Sequence, residues 1–263
     1  MNYGANNFFT ANKLKIIAMA LMLLDHFLVV FLPEGALLRE VLRVPGRIVA
    51  PVICFFIAEG YHHTSNRKKY ILRLFALALV SHIPFNITFD NPLSPFSATS
   101  VIWALTAGLA ALTALKSDLY NLLKLPVLKN KNAQIALKLL ILAVCCAAAY
   151  TANWNYVAVL WIAAFGLFHG SFKRQMIAFC VIGIVFLIAP ACLRFALGRS
   201  VYLHWFHIGI FLAIPLLMAY NGKLGKKLKV IAYSFYVFYP AHLLLLYLLN
   251  KITPLAEIIS KLL

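Results

Sequence analysis

The sequence predicts an all-α fold, a polytopic bundle of about nine transmembrane helices, and three observations predict it. Of the 263 residues, 63% are hydrophobic and only 12% are charged, with a mean hydropathy of +0.89. Soluble domains are nearer half apolar and a quarter charged. The apolar residues gather in runs of roughly 17 to 25, the length that crosses a hydrocarbon core about 30 Å thick. Lys and Arg alternate between rich and poor connecting segments, as they do where a chain crosses a bilayer repeatedly. The whole chain, 1–263, reads as a single integral membrane domain.

The runs follow in order. The first, 13–32, is apolar except for Asp25 and His26 near its middle. It is too long for a signal peptide and lacks an A-x-A-like exit, so it is expected to be retained. The second, 46–62, opens on Gly46-Arg47 and ends near Glu59. The third, 69–88, follows the cluster Arg67-Lys68-Lys69 and carries Arg73 and His82. Runs 98–115, 134–150 and 155–170 come next, the last two short and joined by the tight linker 151–154. Runs 174–195, 201–220 and 229–250 complete the set, the last holding His242. Pro33, Pro45, Pro92, Pro95 and Pro126 fall between runs, where breaks are expected. Pro51, Pro84, Pro190, Pro215 and Pro240 fall inside and should kink their helices. The sequence shows no internal repeat.

Charge orients the bundle. With a cytoplasmic N-terminus, 17 of the 24 Lys and Arg fall inside: Lys13, Lys15, Arg67, Lys68, Lys69, Arg73, Lys116, Lys124, Lys129, Lys131, Lys138, Lys173, Arg174, Lys223, Lys226, Lys227 and Lys229. The outside segments hold Arg39, Arg43, Arg47, Arg194, Arg199, Lys251 and Lys261. This bias also accounts for the net charge of +17, which in a soluble chain would suggest nucleic acid. No basic stripe interleaved with aromatics lies outside the apolar runs, so no nucleic-acid partner is expected. The five cysteines, Cys54, Cys145, Cys146, Cys180 and Cys192, lie within apolar runs at no metal-binding spacing, and no metal is expected. Trp154, Trp161 and Trp205, with Tyr156 and Tyr202, read as interfacial anchors.

Ionisable groups inside a bilayer are costly and usually face a bundle interior. His26, His82 and His242 each lie 13 residues into a run that starts on the cytoplasmic side. At a rise of about 1.5 Å per residue, all three reach a level roughly 20 Å from the inner surface. Each histidine alone also suits simple hydrogen bonding between helices. Asp25 beside His26 asks for more, because a carboxylate adds a second desolvation cost. Adjacent residues on a helix face apart, so Asp25 needs a partner on another run, and Arg47 is the nearest cation by depth. Glu59 and Arg73 lie at similar depth and are expected to pair, a bond that could simply close a hairpin.

An imidazole, with an ordinary pKa of about 6.5, suits general-base work at neutral pH. The chain has no G-x-S-x-G elbow, Walker A loop or G-x-G-x-x-G fingerprint, so serine hydrolase, P-loop and Rossmann chemistry lack support. The cytoplasmic cations Arg67, Lys68 and Lys69, and Lys226, Lys227 and Lys229, could hold a polyphosphate donor. The positive-inside rule alone also accounts for them.

The segments KLKIIAMALMLLDHF (13–27) and GRIVAPVICFFIAEGYHHTSNRKKYILRLFALALVSHIPFN (46–86) resemble the TraX family of integral membrane proteins. The late segment SFYVFYPAHLLLLYLL (234–249) is similar to that family's ending. Members include a conjugative-pilus protein that N-acetylates pilin. The resemblance implies an acyltransferase of the bacterial inner membrane using acetyl-CoA. It implies Asp25, His26 and His242 as catalytic residues and Arg47, Glu59, His63, Arg67, Arg73 and Tyr239 as substrate- or donor-binding residues, to which the depth of His82 adds that residue as a further binding candidate. Relatives commonly carry acidic residues where this chain has His82 and Asn86, so the acceptor or the proton route can differ. The expected acceptor, a pilin N-terminal amine or a surface glycan, meets acetyl-CoA part-way across the bilayer, with His26 as base. A proton-coupled transporter and a non-catalytic pilus-assembly factor are the alternatives.

Overall fold

The computed structural model describes residues 8–94, 96–200, 204–226 and 229–253, with the side chains of 229–233 set aside. Pro95, Tyr202, Lys227, Leu228 and Lys261, and the side chain of Lys229, therefore lie outside the described residues. The regular elements among the described residues are helices, in the order α1 (Ala11–Phe31), α2 (Leu37–Arg43), α3 (Val49–His63), α4 (Arg67–Thr88), α5 (Val101–Lys116), α6 (Leu119–Leu123), α7 (Lys131–Ala148), α8 (Asn155–Leu167), α9 (Phe172–Ala196), α10 (Ala213–Met218) and α11 (Lys229–Ile252). Tighter 3-10 turns cover Pro45–Ile48, Pro126–Lys129 and Trp205–Leu212. No strand occurs among the described residues beyond two isolated bridges, Phe9 with Tyr220 and Thr99 with Ala152.

Among the described residues, six helices are long and apolar enough to cross a membrane: Ala11–Phe31, Leu37–His63, Arg67–Thr88, Lys131–Ala148, Phe172–Ala196 and Ser234–Ile252. α2, the first 3-10 turn and α3 are counted there as one 27-residue segment. Three further expected runs correspond to shorter apolar helices, Val101–Lys116, Asn155–Leu167 and Trp205–Met218. Pro84, Pro190 and Pro240 sit inside α4, α9 and α11.

The chain divides into two compact units. One comprises residues 1–53, 80–93 and 180–263. In it α1 packs on α11, on α2 and on the Pro45–Ile48 turn, and that turn packs on the Trp205–Leu212 turn. Thr10 caps α1 through its side chain, which accepts from the Lys13 amide. Two glycines let these segments close. A Cβ on Gly46 would fall 2.6 Å from the Asp25 Cβ, and one on Gly209 would fall 2.1 Å from the Val44 carbonyl oxygen. Neither position accepts a side chain without backbone movement.

The other unit comprises residues 54–79 and 94–179. α5 packs against α8 and α7, with Gly108 allowing close approach to Ile162. α8 is buried from Val157 through Gly166 except at Leu160, whereas α7 buries nothing. An apolar helix with no buried residue needs an apolar surrounding, which lipid supplies. Trp161 corrects the expectation of an interfacial anchor. It is 0% exposed, and its Nε1–H donates to the Phe179 carbonyl at 3.4 Å. On a helix enclosed on every side, an indole becomes core.

Candidate active site

α1 carries Asp25 and His26 to different neighbours, because successive helix residues diverge by about 100°. Asp25 is 6% exposed and its two oxygens are both taken. Oδ1 accepts from Arg43 Nε at 3.0 Å, and Oδ2 accepts from Arg47 Nη2. Arg47 is itself 6% exposed. Phe206 underlies both guanidinium groups, with its ring centre 4.7 Å from Arg43 Cζ and 5.5 Å from Arg47 Cζ. The pairing of Asp25 with Arg47 follows the sequence expectation. In the sequence Arg43 has no role beyond an outside cation, although it stands four residues before Arg47, and the two reach the same carboxylate from the end of α2 and from the turn that follows it.

His26 faces α11. Its Nδ1 lies 2.8 Å from His242 Nε2, the two rings being within 8° of parallel. The other nitrogen of His242, Nδ1, lies 2.7 Å from the Phe238 carbonyl oxygen. A carbonyl only accepts, so His242 Nδ1 carries the proton and donates to it. In a neutral His242, Nε2 is then an acceptor, and His26 Nδ1–H donates to it. The His26 Nε2 lone pair is left over, with no hydrogen-bond partner among the described residues. Phe89 meets the His26 ring edge-on at 5.3 Å, and Tyr239 meets His242 at 5.6 Å. His242 is 3% exposed. The arrangement holds one imidazole in a fixed tautomer with one ring nitrogen unprotonated.

His82 does not join this pair. Its Nε2–H donates to the Leu93 carbonyl at 3.0 Å, and Asn86 lies one turn on within 3.3 Å. Equal depth along a helix leaves direction around the axis unspecified, and His82 turns toward the end of α4 instead. Asn86, at the position where relatives are acidic, is fully buried.

The second unit gathers a separate polar group around Glu59. The expected Glu59–Arg73 pair does not form. Glu59 Oε1 lies 3.2 Å from His169 Nε2, and its Oε2 lies 3.6 Å from His63 Nε2. His63 follows Glu59 by one helical turn, the natural i,i+4 neighbour, while Arg73 stays exposed with its guanidinium 5.8 Å from the Tyr70 ring centre. His62 stacks on His169 at 3.8 Å and donates from Nε2 to the Gly166 carbonyl at 3.0 Å. Sequence reasoning missed His62 and His169. His169 stands in a short connection between two apolar helices, and no spacing ties it to Glu59. Arg67 sets its guanidinium 4.4 Å above the Tyr61 ring, and Lys68 and Lys69 are exposed beside it.

Fold and site together define a multi-pass, all-helical membrane protein with a buried carboxylate–arginine cluster beside a histidine pair. The family model described as "TraX protein" matches residues 10–250, and the chain belongs to the TraX family. It is similar to a protein described as "Probable fimbrial assembly protein FimC, serogroup H1" from Dichelobacter nodosus. The two are 30% identical over 246 residues, which cover 90% of this chain and 94% of that protein. No solved structure matches.

Proposed function

We propose that the protein is an acyltransferase of the bacterial inner membrane that acetylates an acceptor of the pilus system, with His26 as general base. The observation that carries this reading is the chain from the Phe238 carbonyl through His242 to His26, which leaves the His26 Nε2 lone pair available. An acceptor amine or hydroxyl attacks the thioester carbonyl, a new C–N or C–O bond forms, and the C–S bond breaks. His26 Nε2 takes the acceptor's proton and returns it to the departing thiolate, so charge and protons balance. His242 is a positioning residue that fixes the tautomer of His26. Asp25, held by Arg43 and Arg47, anchors the same helix one residue away.

The donor in this reading is acetyl-CoA, with its phosphates received by Arg67, Lys68 and Lys69. These three cations make no ion pair with a carboxylate among the described residues, which leaves them suited to an anionic ligand. The topology that fits the charge pattern is nine spans with a cytoplasmic N-terminus, the three shorter apolar helices completing the crossings. A pilin N-terminal amine is the preferred acceptor, because the relative is described as a fimbrial assembly protein. The purified protein with labelled acetyl-CoA and a pilin peptide tests the reading. His26→Ala should lower transfer by about 10²- to 10⁴-fold, the usual range for a lost general base. Transfer at the wild-type rate overturns the assignment of His26. A second reading, a non-catalytic assembly factor, also draws on the relative's description. It requires the intact mass of pilin to be the same in cells with and without this gene.

A further inference from the structure

α2 is an amphipathic helix turned inside out for a soluble protein. Leu37, Leu38, Val41 and Leu42 are all exposed, whereas Arg43 turns inward to Asp25. Arg39, one turn earlier, is within electrostatic reach of Arg43, Asp25, Glu34 and Glu40, yet it makes no ion pair among the described residues. Its Nε is closed off from solvent and has no acceptor. The nearby carboxylates do not fill that role. Both oxygens of Asp25 are engaged, by Arg43 and Arg47. Glu40 accepts from Trp205 Nε1, and Glu34 is exposed. Like charges at i and i+4 repel, and a buried donor without an acceptor is rare in a folded protein. Two guanidinium groups a turn apart, one with a shut-in unpartnered donor, therefore describe half of a binding site.

We propose that Arg39 and Arg43 bind a phosphate oxyanion at this end of α1. A tetrahedral phosphate offers acceptor oxygens in more than one plane, so it can bridge guanidinium groups from successive turns where a planar carboxylate serves one edge. The apolar outer face of α2 sets the site beside lipid, and the phosphate comes either from the headgroup of an anionic phospholipid or from a soluble phosphate compound. The inference goes beyond the acyl-transfer reading and does not depend on it, since its readout is binding alone.

The test uses the full chain in nanodiscs. In phosphatidylcholine alone, inorganic phosphate is added and the thermal unfolding midpoint followed; in parallel, phosphatidylglycerol is doped into the disc. A ligand that binds only the folded state raises the midpoint with concentration. A rise with phosphatidylglycerol only assigns the lipid headgroup, and a rise with inorganic phosphate in the neutral disc assigns a soluble source. In either case Arg39→Gln should weaken the response at least about tenfold, Arg39→Lys should keep part of it, and Lys251→Gln should keep all of it. Native mass spectrometry of retained phosphatidylglycerol gives a second readout, and Arg39→Lys serves alone if Arg39→Gln does not fold. The proposal is overturned if neither source raises the midpoint, if Arg39→Gln or, in its place, Arg39→Lys responds as the wild type does, or if Lys251→Gln loses the response equally.

Discussion

Asp25 is the residue on which the first unit depends most sharply. Its carboxylate is the shared acceptor of two guanidinium groups, each with little access to solvent. Asp25→Asn removes the negative charge and leaves both cations in place. Breaking a buried pair from one side costs about 3 to 5 kcal/mol, so unfolding in detergent should shift by that amount. Arg43→Gln should cost less, because Arg47 still meets the carboxylate. An Asp25→Asn protein as stable as the wild type would show that the cluster is solvated rather than buried. His242 carries a different expectation, tied to activity. His242→Ala should lower kcat with little change in KM, and His242→Gln, whose side-chain carbonyl can still accept from His26 Nδ1–H, should recover part of the loss. Equal loss in both variants would reduce His242 to a packing residue. Asp25 with Arg47 was legible in the sequence because both are charges that a bilayer forces to find each other. Glu59 with Arg73 misleads because position along a run says nothing of direction around the helix axis, and His63 and His169 face the carboxylate instead.

Among the elements, the Pro45–Ile48 turn carries the most consequence for the site. It breaks the segment from Leu37 to His63 so that Arg43 ends one helix and Arg47 lies within the turn, and both still reach Asp25. Gly46 lies against Asp25 and Gly209 against Val44, so these contacts set how near the turn comes to its neighbours. Gly46→Ala should push the Asp25 side chain away from one or both arginines. The expected outcome is a loss of about 1 to 3 kcal/mol, the usual range for overpacking, with a larger loss for Gly209→Ala, where the clash is with backbone. Denaturation of the two variants in the same detergent checks the order. The long apolar helices were legible, since runs of twenty apolar residues admit few other readings. The turn was not, because Pro45 marks a break without saying that it will be tight, and the role of Gly46 appears only when Asp25 is packed against it.

At the scale of the whole molecule, the number of crossings is the property that experiment can decide most directly. Among the described residues, six helices have the length and hydropathy to cross, and three apolar ones are shorter. With nine spans and a cytoplasmic N-terminus, the segment around Lys124 is cytoplasmic and that around Asn91 is external. With only the six long helices crossing, both segments lie outside. Alkaline phosphatase, active only outside the cytoplasm, should therefore be active when fused after Asn91 and inactive when fused after Lys124. Activity at both positions would exclude nine spans. Charge suggests this scheme in the sequence, and the shortness of run 155–170 is visible there too, whereas the packing of α5 on α8 is not a property that hydropathy carries. The packing of α1 against α11 has one more consequence, for timing during synthesis. His242 is made 216 residues after His26, so the contact between the two rings cannot form until α11 has followed α1 out of the ribosome. A chain halted before residue 234 would hold the imidazole of α1 without the ring that faces it, so the proposed acyl transfer would await the insertion of α11.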